Sequence, residues 1–456
     1  MGHTVNLDRH YRLLQRQLDR TVTGAPPSRR LAQILRLLYP PRDVELACRL
    51  PLHLTVLDDL AARLKTPVEP LLDQLTGMAH RGLIFDVQQD GRRYFCLAPL
   101  VLGFFEFTFM RTREDLPLGE LARLFDEYLR EDWRDGTSRS FFRGSTQFGR
   151  VLIDEKTLPE DETEVLDWQR ASHVVQTATA LGVGLCACRH KANHLGRACD
   201  GPQRVCLSLN YAADSLIRNG FCEPITTAEG MRILEISKNS GLVQIAENVR
   251  RRVSYLCNCC GCCCEMFRAA KVGEIHNAIT TSAWIMQVDP QQCNGCGRCA
   301  AACPITAIDV GPALSGLAGD GPNFRADENG TVPFDGTADQ ARTARLREDL
   351  CLGCGVCCGV CRRDAISMQP RAKRVFTPET IIDRMALMAV ERNKLADFIF
   401  DRRGPVSHRV LVRLVAILQK TPLLKAAVAI KPLRSAFLRA AIATGRRHVG
   451  RLIGEP

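Results

Sequence analysis

The chain has 456 residues, 22 of them cysteine, a formal charge of +11 and 46% hydrophobic residues. That length is enough for several domains with buried cores, and the near-average apolar and charged fractions exclude a disordered or collagen-like chain. Residues 401–456 carry 12 Lys/Arg against 2 Asp/Glu, so ten of the eleven net charges sit there, and a uniformly basic nucleic-acid binder is excluded.

Residues 1–20 have a polar or charged side chain every two or three positions and no apolar h-region, so no signal peptide is expected. No window reaches 18 uninterrupted apolar residues, the length a spanning helix needs. The expectation is a cytoplasmic chain with reduced thiols, and clustered reduced cysteines point to metal sites over disulfides. Only Cys48 and Cys96 precede residue 186 and none follows 361; these two and Cys222 read as small apolar residues.

After an N-terminal extension (1–28), residues 29–110 read as a winged-helix-like module. Thr55 is placed to cap a helix over 56–64 with Leu57, Leu60, Ala61 and Leu64 on one face. A turn at Lys65-Thr66 precedes a second helix from Pro67 to about Gly82, with Leu71, Leu72, Leu75 and Met78. Strands over 83–87 and 92–97 then flank Gln88-Gln89-Asp90-Gly91 as a hairpin. In a DNA reader of this layout the second helix enters the major groove. Here it presents Glu69 and Asp73 to where phosphates would lie, so protein docking or scaffolding is expected and DNA binding is not.

Phe104, Phe105, Phe107 and Phe109 predict an inter-domain packing surface, followed by a charged helix over 117–130. Residues 111–163 complete a helix and an acidic linker (154–164). A cysteine-rich middle domain is expected over 164–287, with helices at 164–180 and from a Thr226 or Thr227 cap to about Asn239, then a strand over 242–249. Its thiols come in two runs. Cys186, Cys188, Cys199 and Cys206 form the first; Cys257, Cys259, Cys260, Cys262, Cys263 and Cys264 form the second. Ten thiols exceed what burial requires. One or two iron–sulfur clusters, zinc with or without His190 or His194, and thiol redox chemistry are all compatible with them. Spacing does not assign which thiols share a site.

The most specific pattern is Cys293-Asn-Gly-Cys296-Gly-Arg-Cys299-Ala-Ala-Ala-Cys303-Pro304, which returns 58 residues later as Cys351-Leu-Gly-Cys354-Gly-Val-Cys357-Cys358-Gly-Val-Cys361. Both are C-x2-C-x2-C-x3-C, and eight of sixteen aligned positions, through Ile308 and Ile366, are identical. Thiols every third residue can surround one cluster, and Gly295, Gly297, Gly353 and Gly355 allow the backbone turns this needs. Residues 288–370 thus resemble the bacterial 2[4Fe-4S] ferredoxin domain. The resemblance implies two [4Fe-4S] clusters, one on Cys293, Cys296, Cys299 and Cys361 and its twin on Cys351, Cys354, Cys357 and Cys303. Three departures stand out. Arg362 replaces the family's usual Pro, which should make the first cluster easier to reduce. Cys358 is an extra thiol. Residues 311–340 form an insertion within the 47 residues between Cys303 and Cys351.

Residues 371–456 predict a helix over 378–400 capped by Thr377, then basic amphipathic segments with Val410, Leu411, Leu414 and Leu418, and with Leu433, Phe437 and Leu438. Such segments suit an anionic membrane surface, an acidic partner, or packing on the body. No phosphate-binding loop, zinc-protease motif, dinucleotide fingerprint or serine-hydrolase elbow is present. The sequence therefore predicts an α+β, multidomain electron-transfer protein passing single electrons from a redox donor to a redox acceptor. A redox-sensing regulator and an oxidoreductase with a special middle-domain cluster are the alternatives.

Overall fold

A computed structural model describes residues 7–130, 137–158, 167–312, 342–372 and 375–399. Residues 401–456, nearly all of the 311–340 insertion and most of the expected acidic linker lie outside the described residues. The architecture is α+β.

In the N-terminal part, helices Arg29–Leu38 and Pro41–Ala47 precede strand β1 (Thr55–Val56), helices Leu57–Leu64 and Val68–His80, and the hairpin β2 (Ile84–Gln89) and β3 (Arg92–Leu97). The sheet order is β1-β3-β2, all antiparallel. Thr55 is not a helix cap. It pairs with Phe95 in the sheet, while its hydroxyl donates to the His53 carbonyl at 3.0 Å. Pairing two β-branched residues against β3 outcompetes a local cap. The hairpin turn is Asp90-Gly91 alone, with φ of 50° and 71°, the left-handed pair that matches strand twist. Gln88 and Gln89 belong to the ladder instead of the turn.

Helix Phe105–Phe109 and helix Leu118–Arg130 follow. Phe105 and Phe109 meet Phe125 edge-on at 5.1 and 5.9 Å, Phe107 stacks on Phe221 at 5.3 Å, and all four rings of 104–109 are buried. This aromatic strip joins the N-terminal helices to the middle of the chain.

The middle is a six-stranded antiparallel sheet in the order β4-β8-β9-β6-β5-β7, from β4 (Gly149–Val151), β5 (Leu181–Leu185), β6 (Arg204–Leu209), β7 (Glu223–Pro224), β8 (Val243–Glu247) and β9 (Tyr255–Cys259). Side chains alternate across it. Leu181, Val183, Leu207, Leu209, Ala246 and Leu256 face a core closed by helices Ala171–Gln176 and Thr227–Asn239. The latter starts with a capping box between Thr226 and Glu229. The helix expected over 164–180 is described only as a turn at Asp167–Gln169 and the helix Ala171–Gln176. Cys206, Cys257 and Cys259 point to the other face, toward the core that holds the phenylalanines.

The repeat builds two small antiparallel sheets, β10 (Trp284–Val288) with β13 (Ile366–Pro370) and β11 (Ile308–Pro312) with β12 (Arg342–Leu346). Part of the segment read as linker is structural: the Asp154 N–H donates to the Cys354 carbonyl at 3.0 Å.

The next helix begins at Ile381, not 378, and is capped by Thr380, not Thr377. Thr380 and Asp383 exchange backbone and side-chain hydrogen bonds at 3.1 and 3.2 Å. It ends at Glu391, and Asn393 at φ 57° breaks it before Leu395–Ile399. Arg384 pairs with Glu247 at 2.8 Å, both buried, so this helix belongs to the body. No helix among the described residues is long and apolar enough to cross a membrane.

Candidate metal centres

The eight thiols of the repeat sit on two loops, each turning through glycines with positive φ (65° to 84° at Gly295, Gly297, Gly353 and Gly355) into a short helix. Cys293, Cys296, Cys299 and Cys361 line one cavity, together with Arg298, Arg362 and Arg363. Cys303, Cys351, Cys354 and Cys357 line another, whose remaining wall is apolar, with Met286, Ile305, Ile308, Leu346 and Met368. The fourth thiol of each run has crossed to the other run's cavity. Cys358 lines neither.

The two surroundings differ. In the first cavity Cys296 is exposed. Burial opposes ionisation of Cys293, but the neighbouring Thr343 hydroxyl and the Ala344 N–H, which donates to it at 3.4 Å, hold its thiol below the usual range. In the second cavity burial pushes Cys303 and Cys354 up, partly offset at Cys303 by the Ala307 N–H at 3.2 Å. Thiols in so apolar a wall ionise readily only against a bound cation. Four thiol donors around each cavity, with backbone N–H groups aimed at sulfur, fit a thiolate-bound iron–sulfur cluster.

The ten middle thiols separate into two groups. Cys199, Cys260, Cys262 and Cys263 have all four sulfurs within 4.8 Å of one another. The other six line the thiol-bearing face of the sheet and its ends. Cys206 lies one residue beyond the Leu207–Leu256 pair of β6 and β9, which sets it beside Cys257. Cys206 and Cys259 neighbour Cys257, and Cys188 and Cys259 neighbour Cys264; within these thiol contacts Cys257 and Cys264 are lowered and Cys188, Cys206 and Cys259 raised. Cys186, at the end of β5, faces Cys257 and Cys264, and burial pushes it up to about 12. Glu106 approaches Cys257 from the aromatic strip. Burial raises its carboxyl to about 7, although the Gly103 N–H donates to it at 3.0 Å.

His190 and His194 belong to neither group. His190 Nδ1 bonds the Phe109 carbonyl at 2.8 Å, and the His194 ring stacks 4.9 Å from it. Both groups therefore consist of thiols alone.

A buried ion-pair network sets the loops that carry these thiols. Lys191, fully buried, pairs with Asp126 at 2.9 Å and Glu265 at 2.6 Å; Arg268 pairs with the same two carboxylates at 3.0 and 3.1 Å. Three helices are tied together: Leu118–Arg130, Ala187–His194 and Glu265–Lys271. Sequence reading missed Asp126, Glu265 and Arg189. A charged residue on an amphipathic helix reads as solvated, and nothing local marks these as buried.

The two cysteine fields touch. A side chain on Gly261 would place its Cβ 2.5 Å from the Pro304 carbonyl oxygen, so the Cys257–Cys264 run lies flush against the residue following Cys303.

Comparison with known protein families matches a 4Fe-4S binding domain model over residues 285–308. No curated protein and no solved structure matches the chain. The match falls on β10, the first cysteine run and the start of β11, where the thiol-lined cavities lie, and the chain therefore carries an iron–sulfur domain.

Proposed function

We propose that this protein is an electron carrier with two [4Fe-4S] clusters, one held by Cys293, Cys296, Cys299 and Cys361 and one by Cys303, Cys351, Cys354 and Cys357. The observation that supports this reading is the sorting of the eight repeat thiols, four and four, onto two cavities. Bound there, such clusters exchange single electrons. The chain's own residues give them different places. Exposed Cys296, with Arg298, Arg362 and Arg363 around it, makes the first cavity the docking face for a redox partner. The apolar wall of the second shields it, and the Gly261–Pro304 contact points it toward the six thiols of the sheet face, the place for a further cluster.

The test is iron and acid-labile sulfide per chain after anaerobic purification, with EPR on reduction. About eight irons are expected from the repeat alone, and more if the six middle thiols bind a cluster. Protein without iron after anaerobic handling overturns the proposal.

A second reading, a redox-responsive regulator, draws on Glu106 and the aromatic strip, which join the helix–hairpin module to the thiol-bearing sheet face. Its second helix exposes Glu69 and Asp73, so a protein target fits better than DNA. Gel shifts across a salt series, oxidised and reduced, separate the two readings. Residues 401–456 lie outside the described residues; their charge makes an anionic lipid surface our proposed partner for them, with vesicle co-sedimentation as its check.

A further inference from the structure

The four sulfurs of Cys199, Cys260, Cys262 and Cys263 are much more tightly gathered than an iron–sulfur cubane allows. Neighbouring sulfurs stand 3.5 Å apart for Cys199 and Cys260, 3.7 Å for Cys262 and Cys263, and 3.9 Å for Cys263 and Cys199, and none of the four is more than 4.8 Å from another. A metal ion bonded to four thiolates at about 2.3 Å in a tetrahedron sets them about 3.8 Å apart. A cubane carries its thiolates outward from separate irons, which spreads them to roughly 6 Å. Disulfides do not account for the spacing either, since a bonded pair lies at about 2.05 Å. Among the described residues no other three Cys, His, Asp or Glu ligand atoms gather this closely, and the repeat thiols surround cavities instead.

A second observation points to the same place. Arg189 is fully buried, and its Nε has no hydrogen-bond acceptor. Its guanidinium lies against the sulfurs of Cys260 and Cys199, and one nitrogen reaches the Pro202 carbonyl. A divalent ion with four thiolates carries two net negative charges, and a buried cation beside it offsets one of them.

We infer that Cys199, Cys260, Cys262 and Cys263 form a closed, single-ion thiolate site for zinc, separate from every iron–sulfur centre of the chain. Zinc follows from the donors. Four thiolates leave no open position, as in structural zinc sites, and the same ligands bind zinc more tightly than ferrous iron. The ion joins the loop after helix Ala187–His194 to the run containing Gly261, and so holds that run against Pro304.

The test is metal content and zinc-edge X-ray absorption of the full chain, expressed with both metals supplied. Expected are one zinc per chain that survives dialysis and a shell of four sulfurs at about 2.3 Å. Cys199→Ser and Cys263→Ser should each lose that zinc while iron and sulfide per chain stay unchanged. Absence of zinc, nitrogen in its shell, or loss of one or several irons in these variants overturns the assignment. The absorption spectrum of the unaltered chain decides the question even where a variant fails to fold. The zinc result is also independent of the iron count that tests the electron-carrier reading.

Discussion

Asp126 shows how much one side chain holds here. It is the shared acceptor for Lys191, Arg268 and Arg197, so Asp126→Asn leaves a fully buried ammonium with Glu265 as its remaining anion. Removing one partner of such a network costs about 3 kcal/mol, which anaerobic denaturant unfolding would register. Burial resists ionisation of Asp126, but its cationic neighbours prevail and hold the carboxyl below its usual 3.8. With the folded value depressed, the stabilisation is complete above about pH 5 and is lost as pH falls through the folded pKa. The melting-temperature gap between wild type and Asp126→Asn should therefore narrow on acidification; a gap independent of pH would remove the ion pairs as its cause. The thiols separate at the same scale. Cys358→Ala should leave the iron content unchanged, because Cys358 lines neither cavity, whereas Cys354→Ser should lower it by about four irons.

Among the elements, the run between β9 and helix Glu265–Lys271 is closely packed. Gly261→Ala drives a methyl into the backbone of Pro304, which cannot swing aside as a long side chain would. Overpacking of that kind costs about 1–3 kcal/mol, and the variant should melt lower with an altered EPR signal from the cluster proposed on Cys303. An unchanged melting point and spectrum would mean that the two runs do not meet. The capping box of helix Ile381–Glu391 offers a milder case. Thr380→Ala should cost about 1 kcal/mol, while Thr377→Ala removes no cap.

Over the whole molecule, the thiols stand at different depths. Exposed Cys296 and the arginines around the first cavity are at the surface, the apolar second cavity lies deeper, and Cys188, Cys206, Cys257, Cys259 and Cys264 pack against the core that holds the aromatic strip. If the electron-carrier reading is right, a negatively charged redox partner should reduce the chain faster at low salt, and Arg362→Glu should weaken that dependence in stopped-flow traces. An unchanged salt dependence would place the docking face elsewhere.

The repeat was legible in the sequence because its chemistry is local: three thiols within seven residues, on a glycine-turned loop, already surround a site. The hairpin and the helix from Thr227 were legible for the same reason, through turn and cap residues acting on immediate neighbours. Thr55 and Thr377 misled because each satisfies a local capping pattern, while strand pairing and a better box three residues on decided the outcome. The middle thiols could not be sorted in advance. Adjacent cysteines in one run enter different groups, and Cys206 meets Cys257 only through the pairing of β6 with β9, some fifty residues apart in sequence. Sequence by itself determined that this chain carries an iron–sulfur domain and where the cysteine repeat lies. Only tertiary structure decided which distant thiols stand together and at what spacing, because the separation of four sulfurs, which distinguishes one ion from a cluster, is set by packing between elements.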